Sequence, residues 1–184
     1  MKATGVVRRI DDLGRIVIPK EIRKTLRIKE GDPLEIFTDK EGEVILKKYS
    51  PIGELSEFAT TYAETLAKTT GHIACITDKD TVIAVSGGSK KEFLEQVLSK
   101  QLEEVLENKE IYSSSDNNEV ALPITENDSK ERKFNAQVIY PIVCQGDVIG
   151  SVILIAKDPS KKMGEAEDKV AQSAAGFLGN HLEI

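Results

Sequence analysis

The first 50 residues place the hardest constraint on this chain. They contain four short runs suited to extended backbone, at residues 6–10, 15–18, 34–38 and 43–48, rich in Val, Ile and Leu. They contain no cysteine and no histidine, so neither a disulfide nor a Cys/His metal site can staple them. A unit of about 50 residues buries too little surface to be comfortably stable alone. Its strands would also keep open edges. The expectation is an obligate dimer through residues 1–52, with strands of two chains sharing one core.

Local signals order these runs. "DDLG" separates the first two, and Gly14 suits a turn position with positive φ. Pro19 fits the first position of a helix, where its missing N–H costs nothing. Lys20–Leu26 makes about two helical turns, with Ile22 and Leu26 on one face. Lys20, Arg23, Lys24 and Arg27 follow at i, i+3, i+4 and i+7 and line the other face. "EGDP" ends this unit, and "DKEG" is the turn of a hairpin over Leu34–Thr38 and Glu43–Lys48.

Charge follows the same division. The chain carries 25 Lys+Arg against 31 Asp+Glu, a net charge of -6. Residues 1–50 hold 12 of the cations and 9 of the acids, which leaves 13 and 22 for the rest. The basic surplus at one end of an acidic protein points to a contact surface for an anionic partner. A symmetric dimer would duplicate that face and match double-stranded DNA.

"TGVVRRIDDLGRIVIPKEIRKTLRIKEGDPLEIF" resembles the swapped-hairpin DNA-binding domain of AbrB-like transition-state regulators. The resemblance rests on "RRIDDLGR", "IPKEIR" and "L-x-I-x-x-GD-x-LE" together, and covers nearly all of residues 1–50. It implies a mainly-β interleaved dimer that binds DNA through arginines. On the matching positions it assigns DNA contact to Arg8, Arg15, Arg23 and Lys24, with Lys2, Arg9 and Lys20 as weaker candidates for backbone phosphates. Lys24 stands where that pattern more usually has arginine. A lysine neutralises a phosphate but lacks the fork that reads guanine.

Ser50-Pro51 breaks the hairpin strand, and residues 53–184 form a second domain. Leu55, Phe58, Ala59, Tyr62 and Leu66 recur at helical spacing through about Lys68. "IACIT" and "TVIAVS" are paired strands around "DKD". A helix is expected from Lys90 to Glu107, opened by the S-x-x-E capping box of Ser89 and Glu92. "VALPIT", "FNAQVIYPIVC" and "VIGSVILIA" follow as strands, the last two joined by "QGD". A helix over about Gly164–Leu182 closes the chain, and residues 109–133 show little pattern. This order implies an α+β domain, an antiparallel sheet with helices on it. It resembles a GAF domain, a sensory and dimerisation module.

The two halves together resemble the stage V sporulation protein T family of spore-forming bacteria. "KKYSPIGEL", "AVSGGSKKEF" and "MGEAEDKVAQSAAGFL" are consistent with that match. The resemblance implies a tetrameric transcription regulator of the developing spore that both activates and represses genes.

Other features narrow the function. The glycine pair in "SGGSKKEF" lacks P-loop spacing, so a turn plus a helix cap accounts for it better than an anion site. The last helix carries Met163, Val170 and Phe177 seven apart, with Ala166, Ala174 and His181 on nearby turns. Ala171, Ala174, Ala175 and Gly176 would permit close helix approach. Pairing of this stripe with the Leu55–Leu66 stripe across a dimer interface would give the tetramer; the alternative is packing on its own sheet.

No apolar run approaches the roughly 20 residues that span a bilayer, and "MKATGVVRRI" lacks a signal-peptide core. A cytoplasmic protein without membrane contact is expected. Cys75 and Cys144 are expected as buried, reduced core residues. With only His72 and His181 besides, no metal, cofactor or catalytic set is expected, and no enzymatic activity. The domain 53–184 leaves room for an unknown small-molecule ligand. The competing reading is an antitoxin-like swapped-hairpin protein that binds a toxin and its own promoter.

Overall fold

The computed structural model describes residues 5–114, 121–130, 136–156, 158 and 163–182. The chain divides into two compact units, Met1–Tyr49 and Ser50–Ile184.

In the first unit, helix α1 covers Lys20–Thr25. Strands β1 (Leu34–Thr38) and β2 (Val44–Lys48) form an antiparallel hairpin, with Leu34 opposite Lys48 and Thr38 opposite Val44. The Asp39 carboxylate accepts the Glu41 and Glu43 amides at 3.0 and 2.8 Å and closes its turn. Pro19 caps α1 rather than opening it, and its carbonyl accepts the Arg23 amide at 2.9 Å. The runs at residues 6–10 and 15–18 are not strands here. A strand needs a hydrogen-bonded neighbour, and within one chain these runs have none. Except for the half-buried Ile18, their side chains stand in solvent, Val7 at 87% and Val17 at 72% exposure.

The second unit is a five-stranded antiparallel sheet in the order β4-β3-β7-β6-β5. The strands are β3 (Ile73–Thr77), β4 (Val82–Ser86), β5 (Tyr112–Ser113), β6 (Ala136–Cys144) and β7 (Asp147–Ala156). Alternation along them feeds two cores. Ala74, Ile76, Val152 and Leu154 join helices α2 (Ser56–Thr70) and α5 (Glu165–His181) on one face. Cys75, Ile153 and Ile155 join α3 (Lys90–Phe93) and α4 (Lys100–Glu107) on the other. Gln145 and Gly146 both take positive φ, 51° and 86°, as a tight hairpin requires, between β6 and β7.

Three local expectations give way to tertiary packing. The helix expected over 90–107 is interrupted, because Glu95 turns to φ 60° and its amide donates to the Val82 carbonyl at 2.8 Å. Residues 95–98 thereby run beside β4, with Thr81 bridging Val97. The Ser89 side chain makes no cap bond; Ser99 does, accepting the Leu102 amide at 3.1 Å for α4. Of "VALPIT", residues 121–125 contribute only a bridge between Thr125 and Leu98. Pro123 has no N–H for a ladder, and Ile124 instead fills the second core. Neither cysteine forms a disulfide; Cys75 is buried as expected, but Cys144 is partly exposed.

Candidate nucleic-acid interface

The basic end is built on a turn. The Asp11 carboxylate accepts the Leu13 amide at 3.0 Å and the Arg15 amide at 2.8 Å with one oxygen. Its other oxygen accepts Arg15 Nε at 2.8 Å. The Arg15 amide first, then its guanidinium, hold the Asp11 carboxyl below its usual range. Gly14, at φ 76°, lets the chain turn and donates to the Asp11 carbonyl at 3.0 Å. Arg15 is therefore oriented while its side chain stays 69% exposed. Asp11 is the residue that sequence reasoning passed over. Its signal was its spacing, four residues before Arg15 in an Asx turn.

Lys20, Arg23 and Lys24 lie together on α1. Lys20 and Lys24 are exposed; Arg23 is half-buried, with a buried Nε that has no hydrogen-bond partner. Arg8 and Arg9 are exposed on the extended segment before the turn. Lys2 lies outside the described residues. At the far end of α1, Lys48 Nζ donates to the Arg27 carbonyl at 2.9 Å and sits 3.4 Å from Asp32. This contact ties the β2 end to the helix and pairs Lys48 with Asp32.

Around these cations the apolar side chains are unburied. Among the described residues, the exposed large hydrophobic side chains other than Ile111, Val143 and Phe177 belong to the first unit, among them Ile10, Leu13, Ile16, Leu26, Ile36 and Leu46. Neither hydrophobic core includes a residue before Ile52.

On the second unit, α2 and α5 meet within one chain. Phe58 stacks on Tyr62 at 5.8 Å and on His181 at 5.3 Å between centroids, and Phe177 lies 5.6 Å from Tyr62. Burial raises the Tyr62 phenol above its usual value. Ala171, Ala174 and Ala175 face the sheet of their own chain, whereas a methyl added at Gly176 would meet open space. Tyr140 donates to Asp168 at 2.8 Å, and burial with that carboxylate pushes its phenol up to about 12. The glycine pair is explained by packing. A methyl at Gly87 would stand 2.8 Å from the His72 carbonyl oxygen, and one at Gly88 would stand 2.9 Å from Ile73 Cγ2. Among the described residues no group of His, Cys, Asp and Glu is arranged to hold a metal ion, and no helix is long and apolar enough to cross a membrane.

Known proteins resolve what this arrangement belongs to. Residues 54–183 match the family model described as stage V sporulation protein T C-terminal, transcription factor. Over 183 residues, all of this chain and 99% of the relative, the sequence is 52% identical to stage V sporulation protein T of Bacillus subtilis. The chain belongs to the stage V sporulation protein T family. This is a family of sporulation transcription factors, and the N-terminal unit of the present member is AbrB-like. It is 61% identical over 51 residues to the transition state regulatory protein AbrB of Bacillus subtilis, spanning 28% of this chain and 52% of that protein. Residues 7–54 also match the model described as antidote-toxin recognition MazE, bacterial antitoxin. The GAF-domain structure of Thermosynechococcus elongatus PixJ superposes with a TM-score of 0.58 at 18% identity, covering 72% of this chain and 87% of that one. In this member of the family the α+β unit therefore has a GAF fold.

Proposed function

We propose that this protein binds double-stranded DNA as a regulator that activates some sporulation genes and represses others. Residues 1–52 would form the DNA-binding half, and residues 53–184 the half that assembles and can sense a small molecule. Arg8, Arg15, Arg23 and Lys24 are the proposed DNA contacts, with Lys2, Arg9 and Lys20 as lesser phosphate contacts. The observation that carries this reading is the Asp11-oriented, exposed Arg15, five residues before a helix bearing Lys20, Arg23 and Lys24. Such cations neutralise phosphates and release counterions. The exposed apolar side chains of the same unit support a shared-core dimer, because one chain alone leaves them in water. The acidic balance of the remainder favours assembly over DNA contact there. The exposed rings of Phe177 and His181, with the half-buried Phe58 and Tyr62 stacked on them, are the surface proposed to join two dimers into a tetramer. We assign the protein to the cytoplasm and give it no catalytic role.

The match of residues 7–54 to an antitoxin model favours a second reading, binding of a toxin. A large folded second unit speaks against it, since toxin capture normally uses an unfolded tail.

Alanine replacement tests the main reading. Arg15→Ala and Arg23→Ala should weaken DNA binding, and each lost phosphate contact should flatten the log-log salt slope by about 0.9. Lys24→Ala should weaken all sequences alike, as a point charge on phosphate does. Folded Arg15→Ala and Arg23→Ala dimers with unchanged affinity and slope would refute the assignment.

A further inference from the structure

An exposed carboxylate stands among the cations of the first unit, and its two oxygens have separate partners. Asp11 Oδ1 accepts the Leu13 and Arg15 amides and closes the turn, while Oδ2 accepts Arg15 Nε. An acid at this place weakens a surface that only attracts phosphates, because it offsets the charge of Arg15 and itself repels DNA. The turn does not require that charge. An Asn side chain makes the same Asx turn through a neutral oxygen. What the carboxylate alone supplies is its second oxygen, an acceptor where Asn would carry an NH₂ donor. The consequence falls on Arg15. A guanidinium holds five N–H donors in one plane. With Nε engaged by Asp11, the two terminal nitrogens are left as an end-on fork, on a side chain that is 69% exposed. A fork fixed in one orientation fits the O6/N7 edge of guanine, whereas a phosphate asks only for charge.

We propose that Asp11 is a specificity-determining residue: it holds the Arg15 fork ready for a base edge and offsets its pull on the phosphates of unrelated DNA. Asp11 acts through Arg15, as a positioning residue, and the inference rests on the reading that Arg15 contacts DNA. It lowers affinity for DNA at large and raises the ratio of specific to non-specific binding, the quantity that decides where a regulator sits among many competing sites. Hydrogen bonds from the Arg15 amide and guanidinium hold the Asp11 carboxyl below its usual range, so the charge is present at neutral pH. Asp12, next in the chain and also exposed, carries the same formal charge and has no bond to Arg15, which makes it the natural control.

The test compares the full chain with Asp11→Asn, Asp12→Asn, Arg15→Ala and the double variant Asp11→Asn/Arg15→Ala. The probes are a duplex selected in vitro for binding by the full chain and a scrambled duplex of the same length and composition, each titrated across salt concentration. Asp12→Asn should strengthen binding to both duplexes by the same factor and leave their ratio unchanged. Asp11→Asn should strengthen binding to the scrambled duplex, steepen its log-log salt slope by up to about 0.9 for each carboxylate removed, and lower the ratio by at least about fivefold, the lower value of one bidentate base contact. The double variant should have the ratio of Arg15→Ala alone, because an orienter is worth nothing once the fork is gone. A double variant with a lower ratio than Arg15→Ala would mean that Asp11 acts through the turn, and would overturn the proposal. So would an Asp11→Asn protein that keeps its ratio as Asp12→Asn does, or an Arg15→Ala protein that weakens both duplexes alike; in these cases Arg15 remains a DNA contact. An Arg15→Ala protein with unchanged affinity and unchanged ratio removes the DNA-contact reading of Arg15, and the role of Asp11 with it.

Discussion

Gly179 and Gly176 sit on adjacent turns of α5 and meet opposite surroundings. A Cβ at Gly179 would overlap the Val143 carbonyl oxygen of β6, a backbone atom that cannot swing aside. The buried glycine lets the helix backbone lie close on the sheet. Gly176 is exposed, with nothing near its missing Cβ. Gly179→Ala should therefore lower stability by about 1–3 kcal/mol, the usual cost of forcing extra volume into a packed site. Gly176→Ala should raise it by about 0.5–1 kcal/mol, since alanine loses less freedom in a helix than glycine. Thermal unfolding of the second unit checks both. Equal effects would mean that α5 does not lie on β6 as described. The same contrast explains why Ala171, Ala174, Ala175 and Gly176 did not identify an interface. They look alike in sequence, yet the three alanines are buried against the chain's own sheet and Gly176 is exposed.

At the scale of elements, the instructive pair is the two runs at 6–10 and 15–18. Their composition favours strands, and the turn between them forms as its Asp and Gly require. They stay unpaired because secondary structure of this kind is a property of two neighbours. A fragment ending at Tyr49 should accordingly be a folded dimer, with these runs paired across chains. Its unfolding midpoint should rise with concentration, as mass action demands. Sedimentation showing a folded monomer would rule out the shared core. Ending at Tyr49 matters: Ile52 belongs to the other unit's core, and would be a stray apolar side chain on a longer fragment.

For the whole molecule, the question is what the GAF unit adds to a DNA-binding unit that already carries the cations. If it links two dimers, the second dimer engages its site at raised effective concentration. The full chain should then exceed the fragment by about 10²-fold or more on DNA with two sites, and match it on one site. Phe58→Ala with Phe177→Ala should turn tetramers into dimers in sedimentation and abolish that advantage. Phe177 is 47% exposed, and its ring lies 6.1 Å from that of the half-buried Phe58. An alanine pair that remains tetrameric would move the assembly contact elsewhere.

Reading residues in order was enough for the α+β class of the second unit, for its β3, β4, β6 and β7 and its first and last helices, and for the hairpin of the first, but not for β5, which falls in the stretch of little pattern. Alternation with period two and apolar spacing of three and four are local, and the cores follow them closely. "DDLGR" and "IPKEIRK" likewise marked the basic face, because charge and turn chemistry are written in adjacent residues. Three things required the folded chain. Residues 95–98 leave the helical pattern because their backbone groups find β4, a partner far enough away in sequence to be invisible to periodicity. Asp11 proves to be the orienter of Arg15 only once its carboxylate is seen to accept both amide and guanidinium. Ile52 looks like one apolar residue beside a proline, and its burial in a core drawn from β3, β7, α2 and α5 places the division of the chain at Tyr49–Ser50. In each case the deciding contact is between residues distant along the chain, and its energy depends on a neighbour that composition and spacing do not name.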